Sequence, residues 1–138
     1  MRKLTASVMI LLAGCTTVGG GFAEIPTARL LTNPFDTIAD RPDVLNTAAT
    51  TGKIDVTGQC VGLARDGVSL TLLWPEGTKY ELEGSSLFIV LPDNRGRAVV
   101  GKTITLTGST LHSAGEKQLP DPYRAVCASP FFTVSSAY

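Results

Sequence analysis

One histidine, two spaced glutamates and a pair of arginines are the internal side chains of this 138-residue chain whose types and spacing could do chemistry. His112 is the only histidine, so an imidazole metal site would need carboxylates or thiols around it. Ser109 and Ser113 flank it, but no Gly-x-Ser-x-Gly elbow presents either as a nucleophile. Glu81 and Glu83 fall on one face of a strand, roughly 7 Å apart by strand geometry. A general acid–base pair would need one of them desolvated. They alternate with Tyr80 and Leu82, which puts both carboxylates on the solvent side. Arg95 and Arg97 flank a turn, where two charges are commonplace. No glycine-rich phosphate loop leads into a helix. The expectation is a non-enzymatic chain with no metal and no cofactor.

A further kind of chemistry is at the N-terminus. Arg2 and Lys3 precede the apolar run Val8-Met9-Ile10-Leu11-Leu12, and Leu12-Ala13-Gly14-Cys15 follows. The run is too short to span a bilayer, which needs about 20 residues. It reads as a secretory signal over residues 1–14. An aliphatic residue, two small residues and a cysteine resemble the lipobox of bacterial lipoproteins. That resemblance implies a diacylglyceryl group on the Cys15 thiol, a mature N-terminus at Cys15, and further acylation such as palmitate. Two or more chains give stable anchoring, because each buried methylene contributes about 0.8 kcal/mol. Thr16, where an inner-membrane lipoprotein would carry Asp, implies the outer membrane of a Gram-negative host, with the periplasmic face expected.

Charge narrows the partners. Without Arg2 and Lys3 the mature part carries 10 basic and 12 acidic residues, a net of −2. Phosphate contacts need a basic surface, so nucleic acid is not expected. Export also decides how Cys60 and Cys127 are read. They form no Cys-x-x-Cys motif, and an even pair in an oxidising compartment reads as a disulfide. Closing a loop of about 67 residues stabilises by roughly 4 kcal/mol in the chain-entropy account.

The elements that must hold these residues begin after a tether. Residues 15–51 carry Gly19-Gly20-Gly21 and Pro26, Pro34 and Pro42, which interrupt regular structure. A brief helix is expected from Asp40 to about Ala48. Phe22, Leu30, Leu31 and Phe35 are apolar enough to pack weakly on the domain, and residues 52–138 are expected to fold without them. Ile54, Val56, Gly58 and Cys60 alternate with polar neighbours on a first strand, with a bulge or bend at Gly58 or Gly62. Arg65-Asp66-Gly67 predicts a hairpin turn. Val68, Leu70, Leu72 and Trp74 share the inner face of a second strand, and Pro75-Glu76-Gly77 turns the chain. Tyr80 and Leu82, then Leu87 to Leu91, then Ala98 to Val100, and then Ile104 and Leu106 continue as short strands. His112 to Arg124 reads as a long polar loop. Ala125-Val126-Cys127 and Phe131 to Val134 return to strand character. Five or six short strands predict an all-β domain: a small OB-like barrel, with a small β-sandwich as the alternative.

Gly58-Gln59-Cys60-Val61-Gly62-Leu63, Leu72-Leu73-Trp74-Pro75-Glu76-Gly77-Thr78 and Gly101-Lys102-Thr103-Ile104-Thr105-Leu106-Thr107-Gly108 together resemble a small bacterial β domain with a WPEGT-like turn. The resemblance implies a fold and no catalytic residues. The expected role is that of a membrane-anchored envelope lipoprotein acting as a non-catalytic binding module for an envelope protein or glycan. A structural or assembly role is the first alternative, and a small hydrolase or enzyme inhibitor the second. Long ordered loops in small domains are often functional. That places the candidate binding residues at His112, Lys117, Asp121, Tyr123 and Arg124.

Overall fold

The alternation around Ile54 resolves into a hairpin. The computed structural model describes residues 24–35 and 48–138. Strand β1 (Ala48–Thr57) turns back at Gly58-Gln59 into β2 (Cys60–Arg65), with Thr57 opposite Cys60. Gly58 has φ +61°, a conformation glycine adopts without steric cost, so the chain reverses there. The single bent strand expected across residues 53–63 is therefore two strands, and Cys60 opens the second. Its change of inward parity at Val61 is the turn itself. The barrel also begins earlier than expected, since the boundary at 52 falls inside β1.

Asp66 and Gly67 both take positive φ and join β2 to β3 (Val68–Leu73) as a two-residue hairpin. Leu70 and Leu72 point inward as their spacing predicts. Val68 does not reach the core; it is 53% exposed at the strand's start. Trp74 ends the strand fully buried, and Pro75-Glu76-Gly77 turns the chain, with Thr78 donating its amide and hydroxyl to the Pro75 carbonyl.

A small antiparallel sheet follows: β4 (Lys79–Glu83), β5 (Ser86–Val90) and β6 (Arg97–Val99). Then β7 (Thr103–Thr110) pairs with β1, and β8 (Phe131–Ala137) runs parallel to β3 and antiparallel to β7. The order β1-β2-β3-β8-β7 closes on itself. A three-strand meander, a crossover, and a last strand parallel to the third form a small OB-like barrel. Closure leaves no free edge among these five strands, and the sandwich alternative falls with it. Between β7 and β8, Gly108 lies against the Thr133 carbonyl, too close for any Cβ, at a shift in the strand register.

The barrel interior holds Ile54, Leu63, Leu72, Leu106, Phe132 and Val134. The three-stranded sheet extends this core with Leu87, Ile89 and Ala98 and packs against the barrel. Backbone bonds fix it there: Gly101 N–H to Ile54 O at 2.8 Å, and Ala137 N–H to Arg95 O at 2.9 Å.

Two further expectations change. The stretch from His112 to Arg124 is not an open loop. It holds α1 (Ser113–Glu116) and α2 (Asp121–Val126), so Ala125 and Val126 end a helix and are not strand. Leu119, hidden in a polar sequence, is 3% exposed and anchors the segment. The second change concerns residues 24–35, which are more than a tether. Ala28 is buried in the main core with Leu30 packed beside it, and Phe35 is buried on the outside of the barrel. Trp74 N–H donates to Leu31 O and Asn33 N–H to Trp74 O, both at 2.7 Å, so this strap runs parallel to the end of β3. The lipobox, Cys15, Phe22 and the brief helix expected near Asp40 lie outside the described residues.

Candidate functional site

Alternation along β3 and β8 decides where a surface site forms. Leu72 and Phe132 point into the barrel, so their neighbours Leu73 and Phe131 point out. Two large apolar side chains on an outer face need cover. The connection carrying α1 and α2 supplies Leu111, Leu119 and Cys127, and the strap supplies Phe35 and Leu31. The result is a second, smaller core outside the barrel wall.

The Cys60–Cys127 disulfide lies in this outer core, with a Cα–Cα distance of 5.7 Å. The pairing is as expected, but its mechanical role differs. Hydrogen bonds already close the barrel, so the bond does not join the ends of the sheet. It joins the β1–β2 turn to the α2 end of the β7–β8 connection. Thr71 reinforces the same junction, its buried hydroxyl donating to Ala128 O at 2.6 Å.

A cleft of about 500 Å³ opens beside this bridge. Gln59, next to Cys60, forms one wall; Pro122, Tyr123 and Val126, leading to Cys127, form another. The strap gives the third wall through residues 27–32, with Arg29 at the surface. Its volume lies within the roughly 300–1,000 Å³ of small-ligand sites. In OB barrels the two corresponding loops are where oligonucleotides and oligosaccharides bind.

Two contacts hold the strap wall in place, and a third braces the connection that carries α2. The Tyr123 hydroxyl donates to Thr32 O at 3.0 Å, which ties α2 to the strap. The Tyr80 hydroxyl donates to Ala28 O at 2.7 Å from the other side of the strap. Burial of Tyr80 disfavours its phenolate and pushes the pKa up to about 12. Ser129 donates to Glu116 at 2.6 Å and joins the end of the connection to α1.

Of the five candidate binding residues, Tyr123 alone lines the cleft. Asp121 and Arg124 pair with each other at 3.0 Å on the exposed side of α2. Lys117 and His112 are exposed at the two ends of α1. The structure therefore does not gather these five into one site. Thr27, Arg29, Thr32, Gln59, Pro122 and Val126 are lining residues that sequence reasoning passed over. The disulfide itself was the available signal, because linking Cys60 to Cys127 brings Gln59 and Val126 to the same junction.

The paired glutamates remain on the solvent face of β4. Glu83 meets Arg97 at 3.4 Å, and the Arg97 guanidinium lies 4.3 Å from the centre of the Phe88 ring. Both side chains of that ion pair are about half exposed, so it contributes at most about 1 kcal/mol. A second hollow, about 360 Å³, opens at a rim of the barrel beside Leu70 and Phe132. There Arg65 donates to the Thr50 hydroxyl at 3.0 Å.

Compared with protein-family models, curated proteins and solved structures, the chain matches none.

Proposed function

We propose that this chain is a lipid-anchored envelope protein whose barrel is a binding module that performs no chemistry. The observation that carries the reading is the cleft between Gln59 and Val126, whose chain neighbours Cys60 and Cys127 are bonded, at the loops an OB barrel uses for ligands. Its lining mixes apolar and polar side chains in similar measure, so polar groups are at hand to orient a ligand. Leu12-Ala13-Gly14-Cys15 supports the anchor, and confinement to a surface raises the local concentration available to weak contacts. The outer membrane is the proposed location where the host has one, because Thr16 follows the cysteine.

Two experiments test this reading. Cys15→Ser should shift the protein from the membrane fraction to a soluble or uncleaved pool; unchanged detergent partitioning of a cleaved product would refute the anchor. A photo-reactive residue placed at Val126 should form a discrete adduct in native envelopes, while one at Lys53, on the exposed side of β1, should not. Equal labelling from both positions would favour the structural role over the binding role.

A further inference from the structure

The chemistry of the cleft narrows its ligand, an inference that rests on the binding reading above. Tyr123 spends its hydroxyl on the Thr32 carbonyl, so the polar tip of the ring is fixed and its half-exposed face is what remains for a ligand. Pro122 and Val126 extend that face along α2, and Val126 is 48% exposed, so its side chain is open to a ligand. The same cleft is lined by two groups of another kind. The Arg29 guanidinium and the Gln59 amide are both exposed and make no side-chain hydrogen bond or ion pair among the described residues.

A ligand that satisfies all three needs a flat C–H face, a rim of hydroxyls and one negative charge. Sugar rings present C–H groups to an aromatic face and hydroxyls to an amide. A carboxylate on such a ring matches the planar fork of an arginine, which binds it with two parallel hydrogen bonds. A nucleic acid fits less well. Its affinity comes from many phosphate contacts, and this cleft offers one cation on a chain of zero net charge. We propose that the cleft binds a carboxylate-bearing oligosaccharide, with a sugar ring over Tyr123, a hydroxyl edge at Gln59 and the carboxylate at Arg29.

The test titrates the purified full-length protein with digalacturonate, lactose and a short oligothymidylate, followed by amide chemical shifts. Digalacturonate should move the resonances of Gln59, Tyr123 and Val126, and bind at least tenfold more tightly than lactose. Arg29→Gln should remove that tenfold preference and leave the thermal melt unchanged, because Arg29 is exposed; Arg29→Lys should restore part of it. Equal binding of the two sugars, or a preference indifferent to Arg29→Gln, overturns the anion assignment and leaves the cleft as a site. Preference for oligothymidylate overturns the sugar assignment. Absence of any sugar binding overturns this inference, while the Val126 adduct still decides the broader reading.

Discussion

The hydroxyl of Tyr123 donates to the backbone carbonyl of Thr32 across 3.0 Å and joins two segments that lie at opposite ends of the sequence. The strap and α2 are thereby two walls of one cleft. Tyr123→Phe keeps the ring and removes the bond. We expect a loss of about 0.5–1.5 kcal/mol, the usual net value of one such bond. Amide exchange at residues 30–33 should speed up while that of β7 stays slow. Unchanged exchange in the strap would mean the bond is incidental to its docking.

Removal of everything before β1, the strap at residues 24–35 included, tests its docking more severely. Ala28 and Phe35 are buried, Leu30 packs on the core, and Trp74 exchanges two backbone bonds with Leu31 and Asn33. Burying one phenylalanine alone contributes about 1.5–3 kcal/mol. A chain beginning at Ala48 should therefore melt lower by roughly 10 °C. Trp74 emission should move to longer wavelength as its cover is lost. An unchanged melt and spectrum would restore the tether reading of this segment.

Much of the barrel was legible because its strands alternate. Ile54, Leu63, Leu72 and Leu106 announce their inward face by period two, and Asp66-Gly67 and Pro75-Glu76-Gly77 mark the turns. The strap was not legible, since its pairing depends on Trp74, more than forty residues away, and nothing local in Leu30-Leu31-Thr32 records that partner. The helices α1 and α2 were missed for a related reason. They are only 4 and 6 residues long, too short for helical periodicity to show, and tertiary anchors such as Leu119 and Cys127 hold them. The cleft was half legible. Tyr123 was found by its residue type, whereas Arg29 entered the site only when the strap docked.

Loss of the Cys60–Cys127 bond should separate stability from topology. The five strands are closed by their own hydrogen bonds, and the disulfide links the first residue of β2, at its turn from β1, to the end of α2. A Cys60→Ser, Cys127→Ser double variant should lose up to roughly 4 kcal/mol, the chain-entropy value for a loop of this size. It should keep its far-ultraviolet β spectrum below the new melting temperature. Exchange protection should fall first at residues 121–128 and in the β1–β2 turn. Uniform loss of protection through β7 and β8 would show that the bond supports the barrel itself.

Tyr80 gives the chain a stability limit on the alkaline side. Burial raises its pKa from 10.0 to about 12, and its protonated hydroxyl donates to Ala28 O. The folded state thus holds this proton more tightly than the unfolded state, whose tyrosine titrates near 10. Below pH 10 both states are protonated and the contribution is fully present. Between pH 10 and 12 the unfolded state loses its proton first, so stability falls as pH rises. Chemical denaturation at a series of pH values should show that decline. In Tyr80→Phe the decline should flatten, and stability below pH 10 should be lower because the bond to the strap is gone. A variant whose stability falls between pH 10 and 12 as steeply as the parent would exclude Tyr80 as the group responsible.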